Sequence, residues 1–523
     1  MDFSKAFDTV CREALLYKLW TYGVRGNFFG VLEDMYTSSC ARIKLLGKLS
    51  ERIEVLIGTE QGHPMSPELF KIYLYELSDQ LDKTLDVSLP SLAGKSVSHL
   101  LWADDLVLLA QDRESLQRLL DSLEVFCSNW GLTVNIQKTA IMVFNKASAL
   151  LKVSETFTYN GTTVPSTKSY CYLGVVFSLN GSFTMNTKNL RQKALRSIMS
   201  LKRSINFSVL APEILMKIFD LLIVPIATYC HQIWLPETSW VKLSKTNVPD
   251  LKIVAADPLE RLHLLFMKLS LGVWKKASNC VLWGDTGRLP LSFALKRSVV
   301  RYFSRVSKMS TEHPDDQETA TPLLVHAFQE QSDLNMDWYQ NIAQFISKHG
   351  ENTFLESWED SRESNRKLGF YNEIKTSFGN EPFLTLDREY VGYISKIRSS
   401  THPLNIERGR FSHYRFGPLS LERERLCPAC NTNVLSDLEG LIELPYFEPI
   451  VENEAHFLLD CPLYEDLRTR FLALQEPRLR VVHLRNLFRS HISNGINAVK
   501  RTALFIQKAL ERRSILLQKV QGC

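Results

Sequence analysis

Asp104 and Asp105 stand side by side in the run Leu-Leu-Trp-Ala-Asp-Asp-Leu-Val-Leu-Leu-Ala at 100–110, two carboxylates inside a stretch otherwise made of apolar strand formers. Such a run predicts a buried hairpin over 99–110. Buried adjacent carboxylates repel each other and lose hydration, so they stay ionised only beside a cation, and a divalent metal is the usual one. The pair alone is ambiguous, because Asp is also common at polar hairpin tips. A third carboxylate, Asp2, lies in a second apolar stretch, Asp-Phe-Ser-Lys-Ala-Phe-Asp at 2–8. Other metal chemistry is spelled much further on, where Cys427-Pro-Ala-Cys430 is followed after a long gap by His456 and Cys461. Three thiolates and one imidazole satisfy a closed tetrahedral zinc site, and the near pair has the spacing of a knuckle turn. Two unrelated cysteine pairs are the plainer alternative.

The elements that must position these groups follow from periodicity. Residues 13–36 read as two helices broken at Gly23, and 41–46 and 52–57 as two short strands around Gly47-Lys48. After Gly58-Thr-Glu-Gln-Gly62, Ser66 is the expected N-cap of a helix with Pro67 at its first position. Its apolar face would be Leu69, Phe70, Tyr73, Leu74, Leu77 and Leu81. A second amphipathic helix is expected over 114–130, lined by Leu116, Leu119, Leu120, Leu123 and Phe126 and ended by Gly131. Strands are expected over 132–134 and 140–144, with Asn135 and Lys138 between them. A basic helix over 188–207 carries Lys188, Arg191, Lys193, Arg196, Lys202 and Arg203, and more helix follows from Pro212 to 234. The run Gly284-Asp-Thr-Gly-Arg-Leu-Pro-Leu at 284–291 has no chemistry that its residue types disclose. Residues 312–380 are polar and helix-like, and 496–520 form one amphipathic basic helix.

With 523 residues, 45% of them hydrophobic and 23% charged, the chain is sized for two to four cored domains and is not dominated by disorder. A net charge of +5 permits a polyanionic partner without demanding one. No apolar run reaches the length of a membrane span and the start carries no signal peptide, so a nuclear or cytoplasmic, non-secreted protein is expected. Ten cysteines, scattered apart from the one close pair, argue against a disulfide framework. Nothing in the sequence discloses an oligomeric state.

Taken in order, the stretches at 2–8, 58–67 and 100–110 resemble motifs A, B and C of reverse transcriptases, most closely those of non-LTR (LINE-type) retrotransposons. The resemblance implies an α+β chain: a palm of antiparallel sheet and helices over 1–145, primer grip and helical thumb over 146–235, a mostly helical connector over 236–420, a zinc-binding module over 421–470, and basic helices over 471–523. In the family the fingers precede this point, so the chain is expected to lack them and to be the carboxyl-terminal part of a longer polyprotein, or a truncated gene model. The implied activity is RNA-directed DNA synthesis from dNTP on a DNA primer or target end, with an RNA template. Asp2, Asp104 and Asp105 would hold two magnesium ions, and Lys138 matches the lysine that protonates the departing pyrophosphate. Phe7, beside Ala6, matches the aromatic gate that excludes a ribose 2′-hydroxyl. Gln61 and Gly62 would meet template or substrate, and Tyr172, Leu173 and Gly174 resemble the primer grip. The stretch 454–464 resembles the Cys-Cys-His-Cys module of these proteins, implying one structural zinc on Cys427, Cys430, His456 and Cys461. Trp102, Glu60 and His63 depart from the family's usual residues, and a catalytically inactive relic that still binds nucleic acid is the alternative reading.

Overall fold

The computed structural model describes residues 1–60, 62–144, 156–235, 251–312, 330, 351–408, 425–431, 449–472, 487–488 and 495–521. They form two compact units, Met1–Asn186 with Ser304–Met336, and Thr187–Phe303 with Asp337–Cys523. The first is α+β. The expected domain boundaries at 145, 235 and 420 fall at or within segments outside the described residues.

The first unit is cored by helices α1 (Arg12–Thr21), α2 (Gly26–Thr37), α3 (Ser66–Asp82) and α4 (Arg113–Trp130). The expected face of α3 is its buried face, with Phe70, Tyr73, Leu74, Leu77 and Leu81 fully enclosed against Leu119, Leu120, Leu123 and Phe126 of α4. Each such side chain contributes roughly 1.5–3 kcal/mol of burial. Asp112 caps α4 by accepting from the Ser115 amide, and Gly131 ends it in the left-handed region. The start of α3 differs from expectation. Met65 is the N-cap and Ser66 is already helical, because the Ser66 hydroxyl donates to the Glu60 carbonyl instead of capping.

The strands are shorter than the sequence suggests. β1 (His99–Trp102) and β2 (Asp105–Leu108) pair antiparallel with Trp102 opposite Asp105. The ladder continues only through single bridges, Asp2 to Asp105 and Phe3 to Val134. Its spatial order is thus β1, β2, the Met1–Phe3 backbone and the backbone around Val134. This hairpin is not buried as expected: Leu106 is enclosed, but Trp102 is 68% exposed. The strands expected at 132–134 and 140–144 reduce to bridges at Val134 and Ile141, since a turn closed by the Lys138 and Thr139 amides onto the Asn135 carbonyl curls the chain between them. Residues 40–54 hold two-residue ladders, Cys40–Ala41 with Ile53–Glu54 and Lys44–Leu45 with Lys48–Leu49, and every strand residue is exposed, so burial does not favour longer strands. Two further hairpins close the unit, β3 (Phe157–Tyr159) with β4 (Thr162–Val164), and β5 (Ser169–Tyr172) with β6 (Val175–Ser178).

Helix α5 (Thr184–Ser204) leads into the second unit, burying Leu190, Ala194 and Ile198 while its six basic side chains are exposed. That unit is helical. The helices used below are α6 (Pro258–Leu271), α7 (Asn279–Thr286), α8 (Leu291–Glu312), α9 (Glu351–Glu363), α10 (Arg388–Arg398), α11 (Glu465–Phe471) and α12 (Gly495–Gln521). The last matches the basic helix expected at 496–520, with Val499, Ala503, Phe505, Ile506 and Ala509 enclosed. Among the described residues no helix is long and apolar enough to cross a membrane.

Candidate functional site

Three carboxylates meet at one end of the short ladder. Ala103 takes a left-handed conformation (φ 52°), which turns the chain so that Asp104 sits at the tip and Asp105 begins β2. Asp105 lies directly across from Asp2. The Asp2 backbone is fixed on both sides, its amide to the Thr139 hydroxyl at 3.3 Å and its carbonyl to the Asn135 amide at 2.7 Å. Its side-chain Oδ2 is buried and accepts no hydrogen bond; the Lys138 ammonium approaches it to 3.5 Å. Burial first, then the charges of Asp104 and Asp2, raise the Asp105 carboxyl above its ordinary range, against a smaller opposing pull from the Met1 α-amino group. A buried carboxylate oxygen with no hydrogen bond, among mutually repelling carboxylates, belongs to a ligand set that a hard divalent cation fits. Lys138, on the turn after Val134, thus lies beside Asp2.

The Gly-rich turn is laid directly on the Asp2–Asp8 stretch. The Thr59 amide donates to the Phe7 carbonyl at 2.8 Å and the Gly58 amide to the Val10 carbonyl at 2.9 Å. A side chain at Gly58, whose φ is +85°, would put Cβ 2.8 Å from the Asp8 carbonyl oxygen, so glycine is required there. Gly62 also has a positive φ, but a Cβ there meets nothing within 4 Å. Gln61 lies outside the described residues. Phe7 is half-buried, its ring 4.7 Å from that of Phe70, and Ala6 beside it is buried. Arg12, invisible to periodicity, holds this junction from behind: its guanidinium donates to the carbonyls of Gly58, Tyr36 and Val55. Lys18 is a second such residue, an enclosed ammonium that donates to the Tyr73 carbonyl and lies 3.4 Å from the Trp130 ring centroid.

Tyr172-Leu173-Gly174 form the turn of the β5–β6 hairpin, with Leu173 and Gly174 both at positive φ. Tyr170 and Tyr172 sense the carboxylate corner: burial and then the Asp105 charge raise both phenols. The Tyr170 hydroxyl donates to the Lys138 carbonyl at 3.1 Å, which ties this hairpin to the turn carrying Lys138.

In the second unit Cys427, Cys430, His456 and Cys461 bring one ligand atom each to within 4.8 Å of one another. Cys427 and Cys430 each lie 3.8 Å from Cys461, sulfur to sulfur, and Cys430 Sγ lies 3.4 Å from His456 Nε2. A tetrahedron with zinc–sulfur bonds of about 2.3 Å has sulfur–sulfur edges of about 3.8 Å, so the cluster is already at metal-binding size. Hydrogen bonds from the Cys430 and Cys461 thiols hold the Cys427 thiol well below its usual range. The frame is built by pairing the two flanks of the gap: Leu426 bridges Val451, and the Asn431 amide nitrogen donates to the carbonyls of Cys427 and Ile450 at 2.9 Å each. Within the long gap between Cys430 and His456, residues 432–448 lie outside the described residues.

The run at 284–291 proves to be a buried ionic anchor. Asp285 is fully enclosed and receives the Arg398 guanidinium through two bonds of 2.6 and 2.8 Å, with the Tyr371 hydroxyl donating at 3.0 Å. Gly284 leaves room for Trp358 and Tyr371, and Gly287, at φ +61°, for the Asn380 backbone.

Residues 1–177 match the family model described as reverse transcriptase (RNA-dependent DNA polymerase), and with the α+β unit and its carboxylate corner this places the chain in a class: it carries a reverse transcriptase domain. The chain is similar to proteins of the retrotransposable elements R2 and R1 and of the mobile element jockey. It is 30% identical over 193 residues to the Pol polyprotein from type-2 retrotransposable element R2DM of Drosophila melanogaster, covering 36% of this chain and 18% of that protein. It is 29% identical over 229 residues to the Pol polyprotein from a type-1 retrotransposable element R2 of Popillia japonica, covering 42% and 37%. A 115 kDa protein in type-1 retrotransposable element R1DM of Drosophila melanogaster aligns along 99% of this chain at 22% identity, over 44% of its own length. The chain spans less than half the length of these curated relatives.

Proposed function

We propose that the chain performs RNA-directed DNA synthesis, adding dNTP to a primer 3′-hydroxyl on an RNA template, with a nicked target-DNA end as primer. The observation that carries this reading is the carboxylate corner, where Asp2 Oδ2 is buried without a hydrogen bond beside the repelling pair Asp104 and Asp105. Asp2 and Asp104 would be direct ligands of two magnesium ions, with Asp105 supporting; when bound, such ions lower the pKa of the primer hydroxyl and neutralise charge on the departing pyrophosphate. Lys138, 3.5 Å from Asp2, stands ready to give that pyrophosphate a proton. Phe7, braced by Phe70, is the gate against a 2′-hydroxyl, and the open side of Gly62 admits the base pair. Tyr172, Leu173 and Gly174 hold the primer strand.

Residues 146–235 serve as primer grip and thumb, with the exposed basic face of α5 along the duplex backbone. Residues 236–420 connect to the module at 421–470, where Cys427, Cys430, His456 and Cys461 hold one structural zinc, and 471–523 supply basic helices. One zinc per chain by atomic emission, lost in Cys430→Ser, is the expected result. The site of action is nuclear or cytoplasmic.

Primer extension on poly-A with oligo-dT and magnesium tests the catalytic reading, comparing the chain with the Asp104→Ala, Asp105→Ala double variant. Incorporation that vanishes in the variant supports it. No incorporation by either protein, with RNA still shifted in a gel, refutes it and assigns the chain to nucleic-acid binding alone.

A further inference from the structure

The second unit contains a cavity of about 600 Å³ that neither the carboxylate corner nor the cysteine cluster uses. Its wall joins the segment after α6, the end of α10 and one face of α12. That volume lies within the range of about 300–1,000 Å³ usual for ligand sites. Cations dominate its charged lining: Lys276, Lys367, Lys396 and Arg513 face one lining carboxylate, Glu407.

Lys367 and Arg513 are held by carboxylates. Lys367 lies 3.5 Å from Glu407, and Arg513 grips Glu452 through two bonds of 2.5 Å. Lys276 and Lys396 lie by aromatic rings, Lys276 at 5.3 Å from the Trp274 centroid and Lys396 at 5.5 Å from that of Tyr393. Burial and the like charge of Arg388 hold the Lys396 ammonium below its usual range, the state of a cation that gains by meeting an anion. Trp274 is 48% exposed, a large ring held beside that charge. His402, enclosed in the lining, commits Nε2 to Glu454 at 2.9 Å and leaves Nδ1 buried without a hydrogen bond. A polar group of a bound ligand, or a water, would satisfy that nitrogen.

Cationic groups beside an exposed aromatic ring, in one cavity, are the pairing that takes phosphate and base together; a lone inorganic anion has no use for the ring. We propose that this cavity binds a segment of single-stranded nucleic acid, with one base stacked on Trp274 and neighbouring phosphates on Lys276 and Lys396. The choice of nucleic acid as ligand rests on the reading of the chain as a reverse transcriptase. Phosphate and base are common to RNA and DNA, so both strands enter the test.

Fluorescence anisotropy of the full chain with labelled 12-mers, oligo-U RNA and oligo-dT DNA, would be compared for wild type, Trp274→Ala, Trp274→Tyr and the Lys276→Gln, Lys396→Gln double variant. Affinity is expected to fall roughly 5- to 100-fold in Trp274→Ala and to recover in Trp274→Tyr. The slope of log affinity against log salt is expected to flatten by about 0.7 for each lysine removed. A loss confined to one oligomer supports the site and names its strand. Wild-type affinity and slope in all variants, with either oligomer, overturns the proposal. Extension of a short pre-annealed primer–template, run alongside, separates the two readings. Extension with variant-insensitive binding removes the cavity proposal alone, whereas variant-sensitive binding without extension removes the polymerase reading alone.

Discussion

Asp285 and Asp2 are both carboxylates drawn into the protein, and they are treated in opposite ways. Asp285 accepts two charge-assisted bonds from Arg398 and one from Tyr371, and its backbone carbonyl accepts from Glu381. Asp2 has a carboxylate oxygen with no hydrogen bond, and its neighbours across the ladder are more carboxylates. A buried charge whose partners are all supplied by the chain is an anchor for packing. One left partly unanswered keeps its coordination for something the chain does not contain.

This contrast can be broken on a scale of stability, beginning where the effect is largest. Arg398→Met strands Asp285 without its cation and is expected to cost about 3–5 kcal/mol, read as an earlier urea transition of tryptophan fluorescence, since Trp283 and Trp358 are enclosed nearby. A midpoint equal to wild type would make the Asp285 pair dispensable. Gly284→Ala sets a methyl 2.5 Å from both Trp358 and the Tyr371 hydroxyl, and about 1–3 kcal/mol should be lost in the same assay.

At the carboxylate corner the sign reverses. The folded state raises the Asp105 carboxyl, so it binds its proton more tightly folded than unfolded, and ionisation as pH rises through that raised value weakens folding. Asp105→Asn should therefore raise the melting temperature at neutral pH in EDTA by about 1–3 °C and remove that pH dependence, while abolishing incorporation. A lower melting temperature would mark Asp105 as a packing residue like Asp285. The smallest stability change is expected for Lys138→Gln. Its side chain is 70% exposed, and its ion pair contributes within about 0.5 kcal/mol, so melting stays put while incorporation slows. Unchanged incorporation would remove Lys138 from the chemistry.

Much of this was legible wherever the signal is local. Helix α4 declares itself through a single apolar face and a terminal glycine. The four metal-ligand candidates at 427–461 converge as their spacing suggests. Reading failed where a partner lies far along the chain. The expected strand at 140–144 depends on whether neighbouring backbone lies in register, and only Ile141 finds any, at Ser166. Arg12 and Lys18 carry no local signal, because the carbonyls and rings that enclose them come from 24 residues away or further. Ser66 looked like a cap because the competing acceptor, the Glu60 carbonyl, is set by the fold of the preceding turn.

The distance between Asp285 and Arg398 along the chain has a consequence for synthesis. The two are separated by 113 residues, so a ribosome adding about 5–20 residues per second needs roughly 6–23 s between making the acid and making its base. Throughout that interval α7 cannot be enclosed without trapping an uncompensated charge. The second unit thus waits on the emergence of α10, and a pause or stop in translation between the two leaves a nascent chain whose apolar helices are exposed to chaperones and proteases.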